Sequence, residues 1–476
     1  MADRQGTGGA DVVTHVPLTA ALGDFVANLR YEDIPATAVA IAKQGIADCV
    51  GVMLAGSAEP AVAAVRRGFA PDTAGGGSSI CFGPERAPAH VAAWVNGTAA
   101  HVLDYDDVAL KGSHPSAVLV PAILAEAEAV GASGRDMLRA YAAGFETWGE
   151  LISRDRGNYQ RKGWHPTGVF GAVGAAAACA ALRGATAQEA AHALGIAASQ
   201  ASGVMANLGF MTKPMHAGKA AACGLLAARF AAAGLTAAPN AIEHEQGYLG
   251  ALSPAGDIDR ERAPSLPPVR WRLVEQGLAI KQYPVCYRAH RAIDAMLGLV
   301  RDRGLRADAV RAITVRFSPS HSVILKNHRP RTAIDAKFSI EFALACALVA
   351  GRVGLRDLVD EFVLSEPIQR LVPRVSIEIE SEEMPGTSGY APYDLVRVET
   401  AAGEVIESAH VRHARGDPQA PLSADALWTK FEDCALWSGL PLDARALFDR
   451  LNALERCGSA AELLSQREDS SIGGRR

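Results

Sequence analysis

Apolar residues return every three or four positions through most of the first 260 residues. Ala42, Ile46, Cys49, Val50 and Met53 are spaced 4, 3, 1 and 3 apart, which paints one face of a helix. Comparable stripes predict helices over 88–103, 116–131, 135–152, 166–183, 187–200 and 214–234. The 166–183 and 214–234 segments are apolar nearly all round, which suits helices at the centre of a helical body. They are also rich in Ala and Gly, whose small side chains let helix axes approach closely.

The pattern changes near residue 260, where Pro264, Pro267 and Pro268 mark a connection. Beyond it the period falls to two. Ile313, Val315 and Phe317 alternate with Thr314 and Arg316, and Val375, Ile377 and Ile379 alternate with Ser376 and Glu378. Val396 and Val398 alternate with Arg397 and Glu399, followed by a turn around Gly403 and a return run from Val405, which reads as a hairpin. Helical segments at 286–303 and 335–350 lie between the strands. The predicted fold is mainly α. A large all-helical domain (15–270 and 410–466) carries a smaller α+β lid domain (271–409), with an antiparallel sheet, inserted before the C-terminal helices. Residues 1–14 and 467–476 are Gly-, Ser- and charge-rich and are expected to be disordered tails.

A chain of 476 residues with 49% hydrophobic and 21% charged residues is ordinary for a globular protein and buries enough surface to need no disulfide or metal staple. Forty-seven Lys and Arg against 52 Asp and Glu leave a net charge of −5, which argues against nucleic acid or an anionic membrane as partner. The eight cysteines form no C-x-x-C pair and most sit among apolar neighbours, so they read as small hydrophobes in a reducing compartment. The N-terminal MADRQGTGGADVV has no hydrophobic stretch of a secretory signal, and the apolar run Phe170–Leu182 is shorter than the ~20 residues that span a bilayer. A cytoplasmic location is expected.

One device occurs three times: His114-Pro115, His165-Pro166 and Lys213-Pro214 each precede a long apolar segment. Proline favours the first helical position and pushes the residue before it out of the α region, so each ionisable side chain is expected at or near an N-cap. A helix N-terminus presents unpaired N–H groups and about half a positive charge, which makes it an anion site and lowers the pKa of a nearby imidazole. A lone histidine at such an end is more often a surface cap. Two histidines and a lysine converging there would instead build a pocket for a small polyanion with bases at hand.

Beside the first of these lies His101-Val-Leu-Asp104-Tyr-Asp106-Asp107. Its carboxylates suit three roles: orienting a histidine, ligating a metal, or forming a solvated turn. Lys281-Gln-Tyr283-Pro-Val-Cys286 opens the second domain, with Arg288, His290 and Arg291 following, and Lys281 is placed to reach back across the junction. Gly218-Lys219 lacks the upstream glycine and the Ser or Thr of a phosphate-binding loop, and there is no G-x-S-x-G. The residues on offer move protons and bind anions.

The ordered runs Val95-Asn-Gly-Thr-Ala-Ala-His101, Asp104-Tyr-Asp106-Asp107, His114-Pro-Ser, Gly163-Trp-His165-Pro-Thr-Gly, Thr212-Lys213-Pro-Met-His216-Ala-Gly and Lys281-Gln-Tyr-Pro-Val-Cys resemble the MmgE/PrpD family. So do Ala336-Lys337-Phe-Ser339 and, near the C-terminus, Gly416-Asp-Pro and Lys430-Phe. The family includes 2-methylcitrate dehydratase, cis-aconitate decarboxylase and iminodisuccinate epimerase. The resemblance implies a helical domain with an α+β lid, a homodimer, and an interdomain site with no metal or organic cofactor. It also implies a small di- or tricarboxylate substrate. Catalytic roles would fall to His114, His165, Lys213 and Asp104, the last orienting a histidine, and substrate binding to Lys281, His216 and Tyr283. The decarboxylase pattern has a threonine where this chain has Val108, and an additional histidine absent from Ala109–Ser113. The chemistry the family shares is proton transfer at a carbon next to a carboxylate, by a lyase or, alternatively, an epimerase.

Overall fold

The computed structural model describes residues 17–69, 77–384 and 390–464; the segments 1–14 and 467–476 lie outside them. The longer helices of the first part are α1 (Leu18–Asn28), α2 (Ala36–Gly56), α3 (Ala89–Val102), α4 (Ser116–Val130), α5 (Gly134–Ile152), α6 (Pro166–Leu182), α7 (Ala187–Ala198) and α8 (Thr212–Ala232). A two-residue hairpin, β1 (Ser78–Ser79) with β2 (Arg86–Ala87), precedes α3. The predicted helices are therefore present, with ends moved by a residue or two. Where the start is chemically marked it is sharp: Ser133 and Asp136 form a reciprocal capping box at α5, and Thr186 and Glu189 do so at α7.

Every residue of α6 is buried, and the reason for its Ala and Gly content lies in its neighbours. A methyl group at Gly144 on α5 would stand 2.8 Å from the Gly174 carbonyl oxygen, and one at Gly224 on α8 would stand 2.6 Å from the Ala172 oxygen. A methyl group at Gly97 on α3 would stand 2.7 Å from the Gly218 Cα on α8. These helices touch backbone to backbone. Position 168 meets 216 and 172 meets 224, so α6 and α8 run parallel and start at the same end. Positions 94 and 97 meet 218, and Asp104, just past the end of α3, meets Lys213 in the first turn of α8, so α3 finishes where α8 begins. The C-terminus of α3 and the N-termini of α6 and α8 thus share one end of the body. By length and composition α2 could cross a bilayer, a length Phe170–Leu182 does not reach; its residues from Gly45 to Gly56 are all buried in protein.

A second hydrophobic core gathers Val285, Ile293 and Met296 with Ile313, Phe342 and Val398. It is built from α9 (His290–Arg303), α10 (Ile340–Ala350) and a four-stranded sheet of β3 (Val310–Phe317), β4 (Val375–Ile379), β5 (Leu395–Thr400) and β6 (Val405–Glu407) in the order β4-β3-β5-β6. The β5–β6 hairpin turns at Gly403, whose φ of +84° suits glycine. The sheet is mixed, not antiparallel as the alternation suggested. β4 pairs parallel to β3, because the chain leaves β3 through the helical excursion containing α10 and returns by a crossover. After the sheet, α11 (Ala424–Ser438) adds Leu427 and Phe431 to the first core, Phe431 packing against Gly51 of α2.

Candidate active site

Of the three proline-marked positions, one sits where the sequence places it. His165 is the N-cap of α6, with extended backbone and Pro166 in the first turn. His114 lies one residue outside its helix, since Pro115 itself occupies the cap. Lys213 is inside the first turn of α8, which begins at Thr212; the Lys213 N–H bonds to Phe210, so the preceding turn runs on into the helix and overrides the local bias of Pro214. Convergence comes from the shared helix ends. The His114 N–H donates to Thr167 Oγ1 in the first turn of α6, and the His101 and His165 rings stack 5.7 Å apart at 18°.

Four imidazoles meet here. The His101 and His114 ring centroids are 4.5 Å apart, and His165 Nδ1 lies 3.2 Å from His216 Nδ1. Between the first two stands Asp106, fully buried, with its carboxylate 3.0 Å from both His101 Nδ1 and His114 Nδ1. One carboxylate therefore orients two rings and leaves Nε2 of His114 as its working nitrogen. Burial pushes the His101 imidazole down to about 4 and His216 to about 4, and burial with the neighbouring cationic groups holds His165 well below the ordinary range. At neutral pH these three rings are uncharged. Burial opposes ionisation of Asp106, but the two imidazoles outweigh it and keep it well below the carboxylate range.

Asp104 does something else. Its backbone is in the left-handed region at φ +53°, uncommon for a residue with a side chain, and its carboxylate pairs with lysines although the histidines are close by. Oδ1 lies 2.7 Å from Lys213 Nζ and 3.3 Å from Lys281 Nζ, and Lys281 also donates 2.6 Å to the Asp104 carbonyl oxygen. Burial would raise Asp104, yet the two ammonium groups hold it well below the usual range; burial would lower Lys213, yet Asp104 keeps it raised. Asp104 thus spaces and charges two lysines, and the orienting role belongs to Asp106. Lys430 of α11 fixes this run from behind. Buried, it pairs with Asp48 at 2.5 Å and donates 2.9 Å to the Tyr105 carbonyl oxygen. Burial raises Asp107 to about 8, so at neutral pH it is a buried acid bonded to Ser116.

Asp104, His114, His165, Lys213 and Lys281 line one cleft of about 680 Å³. Its far wall comes from the second core and includes Arg288, Arg291 and Tyr390. Six Lys and Arg line it against three Asp and Glu, so the cleft is cationic in an acidic chain. Two expected substrate contacts are elsewhere. His216 stands behind His165 and does not line the cleft. Tyr283 is turned away because its hydroxyl is taken by Asp294 at 2.5 Å and by Arg415. His290 bonds the Val285 carbonyl oxygen within the second core. Sequence reasoning gives His101 no role in the constellation, assigns the orienting role to Asp104 and keeps orientation, metal ligation and a solvated turn open for Asp106; the signal is the separation of His101 and Asp106 by five residues across a helix end.

A model of the MmgE/PrpD N-terminal domain matches residues 20–261, and one of the C-terminal domain matches residues 283–444. The chain belongs to the MmgE/PrpD family. Among its relatives are the human cis-aconitate decarboxylase, 30% identical over 310 residues, and the cis-aconitate decarboxylase of Aspergillus terreus, 28% identical over 358. The cis-aconitate decarboxylase-like protein oryM of Aspergillus oryzae is 27% identical over 446 residues, 88% of this chain and 90% of that protein. The human match spans 63% of each chain, under two thirds of that relative's length.

In this MmgE/PrpD chain the cleft lies where the two matched domains face each other, and Lys281 belongs to the short stretch between them. His101, Asp104, Asp106 and His114 bring ligand atoms within 4.8 Å of one another, a spacing that suits a metal. The carboxylates there already have partners: Asp104 two ammonium groups, and Asp106 the Nδ1 atoms of two imidazoles at 3.0 Å. A divalent ion would have to displace Lys213 first.

Proposed function

We propose that this chain is a lyase of the decarboxylase or dehydratase type, acting on a small di- or tricarboxylate by proton transfer at a carbon next to a carboxylate. The observation that carries this reading is the juxtaposition, in one cationic cleft, of His114 and His165 with the Lys213–Asp104–Lys281 cluster. Removing the α-proton sends its electron pair into the carboxylate, giving an enediolate. Ammonium groups stabilise that charge strongly once the bound substrate excludes water. Lys213 and Lys281 hold and polarise the carboxylate, and one imidazole takes the proton through Nε2. In dehydration the β-carbon–oxygen bond then breaks, and the second imidazole protonates the departing hydroxyl as water. In decarboxylation a carbon–carbon bond breaks to release CO₂, and an imidazole protonates the carbon left behind. Each such group contributes about 10²–10⁴-fold. The names of the relatives support the reaction class. Val108, an apolar wall of the cleft where the decarboxylase pattern has threonine, favours a substrate other than cis-aconitate.

Two imidazoles lining one cleft also suit an epimerase, in which one takes the proton and the other returns it to the opposite face. The test is the same. The enzyme is incubated in D₂O with citrate-, aconitate-, malate- and aspartate-type acids and followed by NMR. Solvent exchange with loss of water or CO₂ is expected; exchange without either makes the chain an epimerase. His165→Ala and Lys213→Ala should each abolish turnover with little change in thermal unfolding. Failure of every acid in the panel to exchange overturns the proposal.

A further inference from the structure

We propose that Arg288 reads a second carboxylate of the substrate, so that the cleft selects acids with two or more carboxylates over monocarboxylates. This deepens the reading above and rests on it. The cationic groups of the cleft differ in how far their charge is already answered. Lys213 and Lys281 share Asp104, so one carboxylate serves two ammonium groups. On the opposite wall Arg291 is committed to Asp394 at 2.6 Å and bonds the Ala391 carbonyl oxygen at 3.1 Å. His321, deep beside Asp394, is held well below the ordinary imidazole range by burial and by the two arginines, and adds no charge.

Arg288 combines partial burial with neutral partners. Its guanidinium donates 2.9 Å to the Tyr390 hydroxyl and 3.4 Å to Ser320 Oγ, and its carbon lies 5.2 Å from the centre of the Tyr390 ring. All of these partners are neutral. Among the described residues no carboxylate lies within 4.0 Å of it, whereas Arg291 has one; Lys111 and Arg412, the other lining cations without such a partner, are exposed to solvent and Arg288 is not. A partly buried guanidinium held in place by an aromatic ring and a hydroxyl, with its charge unanswered, is preorganised for an anion. Its planar fork matches a carboxylate by two parallel N–H···O bonds. Arg288 lines the same cleft as Lys281, seven positions earlier on the same segment, and Cys286 between them also lines it. A carboxylate held by the lysines would undergo the chemistry; one on Arg288 would fix the far end of the acid.

Calorimetric titration of the full chain with glutarate and butyrate, which differ by one carboxylate, tests this. Wild type should prefer glutarate by about 10–100-fold, the value of one charged hydrogen-bonding partner. Arg288→Gln should bring that preference below threefold by weakening glutarate alone, and Arg288→Lys should restore part of it, both at unaltered unfolding temperature. Tyr390→Phe, which removes only the bond that aims the fork, should fall between. A wild type without the preference, an Arg288→Gln protein that keeps it, or equal weakening of both acids overturns the proposal. If the selectivity behaves as expected while no acid in the panel exchanges its α-proton, the carboxylate subsite stands and the lyase reading falls. If protons exchange but the preference ignores Arg288, the reverse holds.

Discussion

Replacing Asp106 by asparagine keeps the shape of the side chain and removes what it does. The carboxylate hydrogen-bonds His101 Nδ1 and stands 3.0 Å from Nδ1 of His114 as well, with no exposure to solvent. Asparagine offers one accepting oxygen and an amide that can only donate. One ring keeps its N–H on Nδ1; the other must present a lone pair there and carry its proton on Nε2, the nitrogen through which His114 would act as base. The fold loses a charge-assisted hydrogen bond, about 1.5–3 kcal/mol, and in return sheds a negative charge that presses on Asp107. Unfolding should therefore move by only a few degrees, while α-proton exchange falls by about 10²–10⁴-fold, the usual worth of one acid–base group. Exchange rates by NMR in D₂O, with ¹⁵N shifts of labelled histidines to read the tautomers, measure both halves. Exchange within threefold of wild type, with the tautomers altered, would refute the idea that Asp106 sets the working form of His114.

Asp107 should govern part of the pH dependence of stability. Its folded-state pKa of about 8 exceeds its ordinary value, so its contribution is present at low pH and is lost as pH rises from about 4 to 8, by about 1.4 kcal/mol per unit. Denaturant unfolding of Asp107→Asn should accordingly gain on wild type steadily up to pH 8 and then level off, and a constant difference would contradict this. Lys430→Met should cost about 3–5 kcal/mol by leaving Asp48 buried without its partner, and pairing it with Asp48→Asn should recover much of the loss. Gly218→Ala should destabilise by about 1–3 kcal/mol or more, because the new methyl group would overlap the Trp94 carbonyl oxygen where α3 and α8 touch. An unchanged melting temperature would mean those helices are not in backbone contact.

The helices were legible because burial on one face writes itself into the chain at a period of 3.6, and α6 and α8 announced their central place by being apolar nearly all round. The β5–β6 hairpin was legible for the same kind of reason, since its alternation and its turn are both local. Strand direction was not: an alternating run reads identically whether its neighbour is parallel or antiparallel, and only the crossover after β3 made β4 parallel. At the site, His114, His165 and Lys213 could be singled out because each stands beside a proline. Which carboxylate serves which cation could not, because Asp104 and Asp106 are chemically alike and two residues apart. The choice was made by a left-handed backbone at Asp104 and by Lys281, which comes from 177 positions away. A residue's type and spacing are fixed along the chain, but its partner in a low-dielectric cleft is set by packing between elements distant in sequence.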